Sequence, residues 1–104
     1  MAEGKNSKII IHADIDLEDL IPGFLENRRK DIIEIESLLV SGDYETIQRL
    51  GHSMKGSGGG YGFDKITDIG MHIEQAAKAK NTPEICTQME TLSEYLDRVE
   101  VVYV

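Results

Sequence analysis

Residues 17–40 read LEDLIPGFLENRRKDIIEIESLLV, and their apolar members Leu17, Leu20, Ile21, Phe24, Leu25, Ile32, Ile35, Leu38 and Leu39 recur every three or four positions. That rhythm marks an amphipathic helix. Pro22-Gly23 interrupts it, because proline lacks the amide that a helix interior needs. The pattern therefore predicts a short first helix, capped by Asp14 or Asp16, and a long one restarting near the proline. Ser41-Gly42 closes the long helix, with Gly42 as a left-handed cap. Arg28-Arg29-Lys30, flanked by Glu26 and Asp31, reads as its solvated face.

Working outward, Asp43 is placed to cap the next helix, which turns Ile47, Leu50 and Met54 inward. It runs into Gly56-Ser57-Gly58-Gly59-Gly60-Tyr61-Gly62. Each interior glycine costs about 1 kcal/mol relative to alanine, so the helix is expected to fail near Gly59 or Gly60. Ile66, Ile69, Ile73, Ala76 and Ala77 mark the following helix. Asn81-Thr82-Pro83 is a break and a restart, with Thr82 as cap and Pro83 in the first turn. Ile85, Met89, Leu92, Leu96, Val99 and Tyr103 mark the last helix, in a seven-residue rhythm. In front, Met1 to Lys8 is expected to fray, and Ile9 to Ile11 to lie extended on the core, packing with the apolar Val101-Val102-Tyr103-Val104 end. The fold expected is all-α: an antiparallel up-down four-helix bundle with a short additional N-terminal helix. Residues 17–104 form its single domain, behind an extended or frayed segment 1–16.

Composition narrows the function classes. The 104 residues include 11 Lys and Arg against 19 Asp and Glu, a formal net charge of −8. Such a field repels nucleic acid and anionic membrane, whose binding relies on Lys and Arg. With no Trp and two Phe, the core must come from aliphatic residues and Met. One cysteine, Cys86, excludes an internal disulfide. No secretory leader and no apolar run of about 20 residues is evident, so a cytoplasmic, reducing setting is expected.

The helix after Asp43 carries the chemistry. At about 100° of rotation per residue, Ile47, Leu50, Met54 and Ser57 share the core side, and His52 lies nearly opposite. Gln48, Lys55, Gly56 and Gly59 fall beside His52. An exposed histidine flanked by a cation and two residues without side chains suits phosphoryl transfer. Neutral imidazole is a good nucleophile, and Lys55, one turn on, offsets the charge of the incoming group. Gly56 and Gly59 leave the flank bare for a partner's active site to approach in line. Gln48, one turn earlier, is a candidate contact to the phosphorylated ring. Glu74 is expected to pair with a neighbouring lysine or cap a bundle contact, without a catalytic part.

His52-Ser53-Met54-Lys55-Gly56-Ser57 resembles the His-x-Leu-Lys-Gly-Ser core of the histidine-phosphotransfer (HPt) domain family, with Met54 for the usual leucine. Gly62 matches the glycine ten residues after the histidine, and Ile66 with Ile73-Glu74-x-Ala76 resembles the pattern that follows. The likeness covers roughly Leu17 to Leu96. It implies a phosphocarrier without ATP-dependent activity of its own, taking a phosphoryl group on His52 and exchanging it with aspartates of response-regulator receiver domains. It also implies a histidine kinase as partner and Mg²⁺ held by the receiver, with no cofactor or metal on this chain. A monomer is expected. Two departures, Gly51 where a larger small residue is usual and the run Gly58 to Gly60, are expected to loosen the helix around His52.

Other readings are weaker. The glycine run lacks the Gly-Lys-Ser/Thr end of a phosphate loop and follows no strand. His12, His72 and Cys86 lie on separate segments without ligand spacing, which speaks against a metal-binding bundle. The remaining alternative is a helical adaptor that binds a receiver or kinase without phosphotransfer.

Overall fold

The long helix runs from Ile21 to Ser41 (α1) in the computed structural model, which describes residues 7–104. Pro22 sits in its first turn, where the missing amide has no partner to lose, so the proline starts the helix instead of dividing it. The separate front helix expected before it is a single 3-10 turn, Ile15–Leu17, capped by the Asp14 carboxylate, which accepts from the Asp16 amide at 2.9 Å. Neither Asp14 nor Asp16 caps α1, which begins after Leu20 without a side-chain cap. At the other end Gly42 adopts φ 73°, the left-handed cap expected of it.

α2 (Tyr44–Gly58) starts at Asp43, whose carboxylate accepts from the Thr46 amide at 3.1 Å and from the Thr46 hydroxyl at 2.7 Å. Those two bonds lower the Asp43 pKa. The glycine run ends the α-helix where helix propensity fails. A 3-10 turn, Gly59–Tyr61, follows and stops at Gly62, whose φ of 89° suits a residue without Cβ. α3 (Asp64–Lys78) and α4 (Thr82–Arg98) complete the four α-helices among the described residues. Asn81, not Thr82, caps α4: its side-chain carbonyl accepts from the Glu84 amide at 3.2 Å, while Thr82 is already helical and shares a 2.6 Å hydrogen bond with the Tyr44 hydroxyl.

The last helix stops at Arg98. Val99–Tyr103 (β2) pairs in parallel with Ile9–Ala13 (β1), from Ile9 opposite Val99 to Ala13 opposite Tyr103. The seven-residue rhythm of α4 runs past its real end because Val99 and Tyr103 also fit a strand. This stretch is rich in Val and Tyr, and its residues alternate between half-buried and exposed as a strand requires. The chain is thus mostly helical with a small parallel sheet, and its two apolar ends do pack together. Most of the Met1 to Lys8 stretch expected to fray lies outside the described residues.

Ile21, Ile35, Ile47, Met54, Phe63, Ile66, Ile69, Ile73, Ile85 and Leu92 are fully buried, an aliphatic core as the composition demands. Phe24 of α1 stacks on Tyr61 and Phe63 beyond α2, with ring centroids 4.5 and 5.6 Å apart. Arg28 leaves the solvated face assigned to it. Its guanidinium lies 4.8 Å over the Phe24 ring and donates to Asp31 at 2.8 Å and to the Ser57 hydroxyl at 3.4 Å. Burial raises the Asp31 pKa against the opposing pull of Arg28. Ser57 consequently lies at the edge of the core, held by α1, and not inside it.

Candidate functional site

α2 presents His52 away from the bundle because Ile47, Gly51, Met54 and Gly58 occupy its buried side. The imidazole side chain is 68% exposed. Its Nδ1 lies 2.9 Å from Oε2 of Glu74, a residue of α3. The other carboxylate oxygen of Glu74, Oε1, lies 2.9 Å from Nζ of Lys55. One carboxylate therefore bridges the histidine and the lysine, and it is itself only 19% exposed.

The protonation pattern follows from the donor inventory. The hydrogen bond from Lys55, opposed by desolvation and reinforced by His52, lowers the Glu74 pKa below the ordinary glutamate value. Glu74 is then ionised near neutral pH and only accepts hydrogen bonds. The proton between it and His52 must belong to Nδ1. In the neutral ring this leaves the Nε2 lone pair free, and no described residue bonds to Nε2. Lys55 is not poised on the ring itself; its ammonium is tied to Glu74 at the edge of the same exposed face.

The other candidates take different places. Gly56 is exposed, and a Cβ built on it would meet nothing within 4 Å, so the flank of His52 is bare there. Gln48 lies one turn before His52, beside Glu45 and Arg49, and makes no hydrogen bond to the ring. Gly59 opens the 3-10 turn; a Cβ on it would stand 3.6 Å from the Thr67 hydroxyl, in ordinary contact with α3. Gly62 belongs to the turn between α2 and α3 and is remote from the imidazole in sequence and role.

Glu74 is the residue the sequence undervalued. Pairing with a lysine was expected of it, but not its bond to His52. A signal existed: a helix hairpin folded about Gly62 sets residues roughly equally far before and after the turn opposite one another. Glu74 also follows Ile73 on the rim of the buried face, where a charged side chain needs a partner.

The Hpt domain family matches residues 19–101, and the chain belongs to that family. Hpt domains are phosphocarrier modules that carry a phosphoryl group on histidine in two-component signalling, and they interact with response-regulator receiver domains and histidine kinases. No curated protein and no solved structure matches the chain. Among the described residues, no helix is long and apolar enough to cross a membrane.

Proposed function

We propose that this chain is a phosphorelay intermediate that accepts a phosphoryl group on Nε2 of His52 and exchanges it with aspartates of receiver domains. The observation that carries this reading is the Glu74 bridge. It orients an exposed imidazole, holds the proton on Nδ1, and directs the remaining lone pair to solvent.

In the forward step the Nε2 lone pair attacks the phosphorus of a receiver's aspartyl phosphate. An N–P bond forms as the P–O bond to the carboxyl group breaks, and the aspartate leaves as a carboxylate. The ring gains positive charge while Nδ1 keeps its proton, so the Glu74 carboxylate stabilises the phosphorylated ring without any proton moving. Lys55 reaches the rim of the site and counters charge on the phosphoryl oxygens. Gly56 leaves room for the receiver, and Gln48, one turn before His52, offers it a polar contact. Mg²⁺ belongs to the receiver in this reading, and the chain itself works as a cytoplasmic monomer without a cofactor. Contacts of α1 with the far ends of its neighbours, Arg28 with Ser57 and Arg29 with Asp97, support an up-down antiparallel order of the helices.

The test is to mix the protein with a phosphorylated receiver or an active histidine kinase. Label that is acid-labile and base-stable is expected on the wild type and absent from His52→Gln. Binding of the receiver without any label on the wild type would instead favour an adaptor.

A further inference from the structure

α2 and α3 meet backbone to backbone at two glycines. A Cβ on Gly51 would stand 2.6 Å from the Glu74 amide nitrogen and 2.9 Å from the Gly70 carbonyl oxygen. A Cβ on Gly70 would stand 2.5 Å from the Lys55 amide nitrogen and 2.7 Å from the Gly51 carbonyl oxygen. The contact is reciprocal: each glycine faces the other and the backbone of the residue one turn beyond it. Those two residues are Lys55 and Glu74, and His52 directly follows Gly51. All the obstructing atoms are backbone, so no rotamer change relieves them. Beyond the loosening expected of Gly51, its missing side chain lets α3 approach.

We propose that the Gly51–Gly70 crossing is a positioning device: it draws Glu74 close enough to hold Nδ1 of His52 and Nζ of Lys55 at once, and so decides which ring nitrogen is free. Both bonds of Glu74 are 2.9 Å long. A methyl group at either glycine must move its neighbours from 2.6 Å or less to the 3.4 Å at which ordinary contact begins. That displacement carries the Glu74 backbone away from α2, and one short carboxylate then spans one of its two partners but not both. Gly51 and Gly70 touch no reacting atom. They act through Glu74, and the inference rests on the reading of His52 as acceptor only for its consequence on rate.

The experiment uses the whole chain with ¹⁵N-labelled histidine. The two ring nitrogens of neutral His52 give separate resonances that report where the proton resides. In the wild type they are expected to show it on Nδ1. In Gly70→Ala they move toward the mixture seen for histidine free in water, and Glu74→Ala gives the same change. Phosphoryl transfer from a receiver falls about tenfold in Gly70→Ala, with half-saturation by the receiver held within about twofold. In the double variant the Gly70 change adds nothing further to the Glu74→Ala loss, because its effect is already spent. Additive losses, or a wild-type ring with no preference for Nδ1, would overturn the proposal. Should Gly70→Ala not fold, Glu74→Asp imposes the same misplacement without touching the crossing, and an unchanged tautomer there overturns it equally. A chain that takes no phosphoryl group but keeps its proton on Nδ1 refutes the carrier reading and leaves the positioning role standing.

Discussion

The two sides of this bundle are built to different tolerances. α2 and α3 touch through glycine backbones, and Thr67 of α3 donates to the Lys55 carbonyl of α2 at 3.0 Å. α1 and α4 stand apart across large side chains, leaving an open groove of about 310 Å³ lined by Ile32, Glu36, Cys86, Met89, Glu90 and Ser93. The first arrangement leaves little play in register and distance; the second leaves space and tolerates adjustment. His52, Lys55 and Glu74 sit on the tight pair. The loose pair contributes burial, through residues such as Ile35 and Leu92, while its α1 exposes apolar Ile33 and Val40. A site whose geometry depends on two 2.9 Å bonds belongs on the side that cannot slide.

That contrast is open to attack by mutation. The largest effect on stability is expected from Ile35→Ala on α1, a loss of about 2–5 kcal/mol in chemical denaturation. The His52 ring resonances should nevertheless stay those of the wild type below the transition. If they change, the two sides are not independent. Next comes a paired test on one helix. A Cβ at Gly58 would stand 2.6 Å from the Thr67 amide nitrogen, so Gly58→Ala is expected to destabilise by about 1–3 kcal/mol. Gly56→Ala, facing open space two residues away, should instead stabilise by up to about 1 kcal/mol through helix propensity. Equal responses at the two positions would break the claim that α2 has one crowded side and one bare side.

Smaller changes sharpen the picture. The Tyr95 hydroxyl is buried without a hydrogen-bond partner among the described residues, and burial raises its pKa. Tyr95→Phe is therefore expected to leave stability unchanged or raise it by about 1 kcal/mol in thermal melts, because an unpaired buried hydroxyl is removed. The smallest effect concerns acid. Glu74 has its pKa lowered in the folded protein, so its contribution to stability is complete above the ordinary glutamate value and is lost as the pH falls through the lowered one. The difference in melting temperature between wild type and Glu74→Gln should narrow from roughly pH 6 to pH 3. A gap that widens in acid would show that Glu74 is not held ionised by Lys55 and His52.

Much of the fold is legible in the sequence alone. The spacing of apolar residues located four helices, and Gly42, Asp43 and the glycine run marked ends that the structure shares. The rotation of α2 placed His52 outward, since a helix wheel needs only the local repeat. Where reading failed, two local signals competed. Pro22 reads equally well as a break or as a first-turn residue. Val99 and Tyr103 fit both a helical and a strand rhythm, and pairing with Ile9–Ala13 decided between them.

Local sequence by itself determined which residues form helices and which face of α2 carries His52, because those follow from periods of a few residues. Only the tertiary structure decided how close α3 comes. That closeness depends on what stands opposite Gly51 and Gly70, and an absent side chain leaves no mark in a hydrophobic pattern. The partnership of His52, Glu74 and Lys55 arises there, where two helices meet with nothing between their backbones.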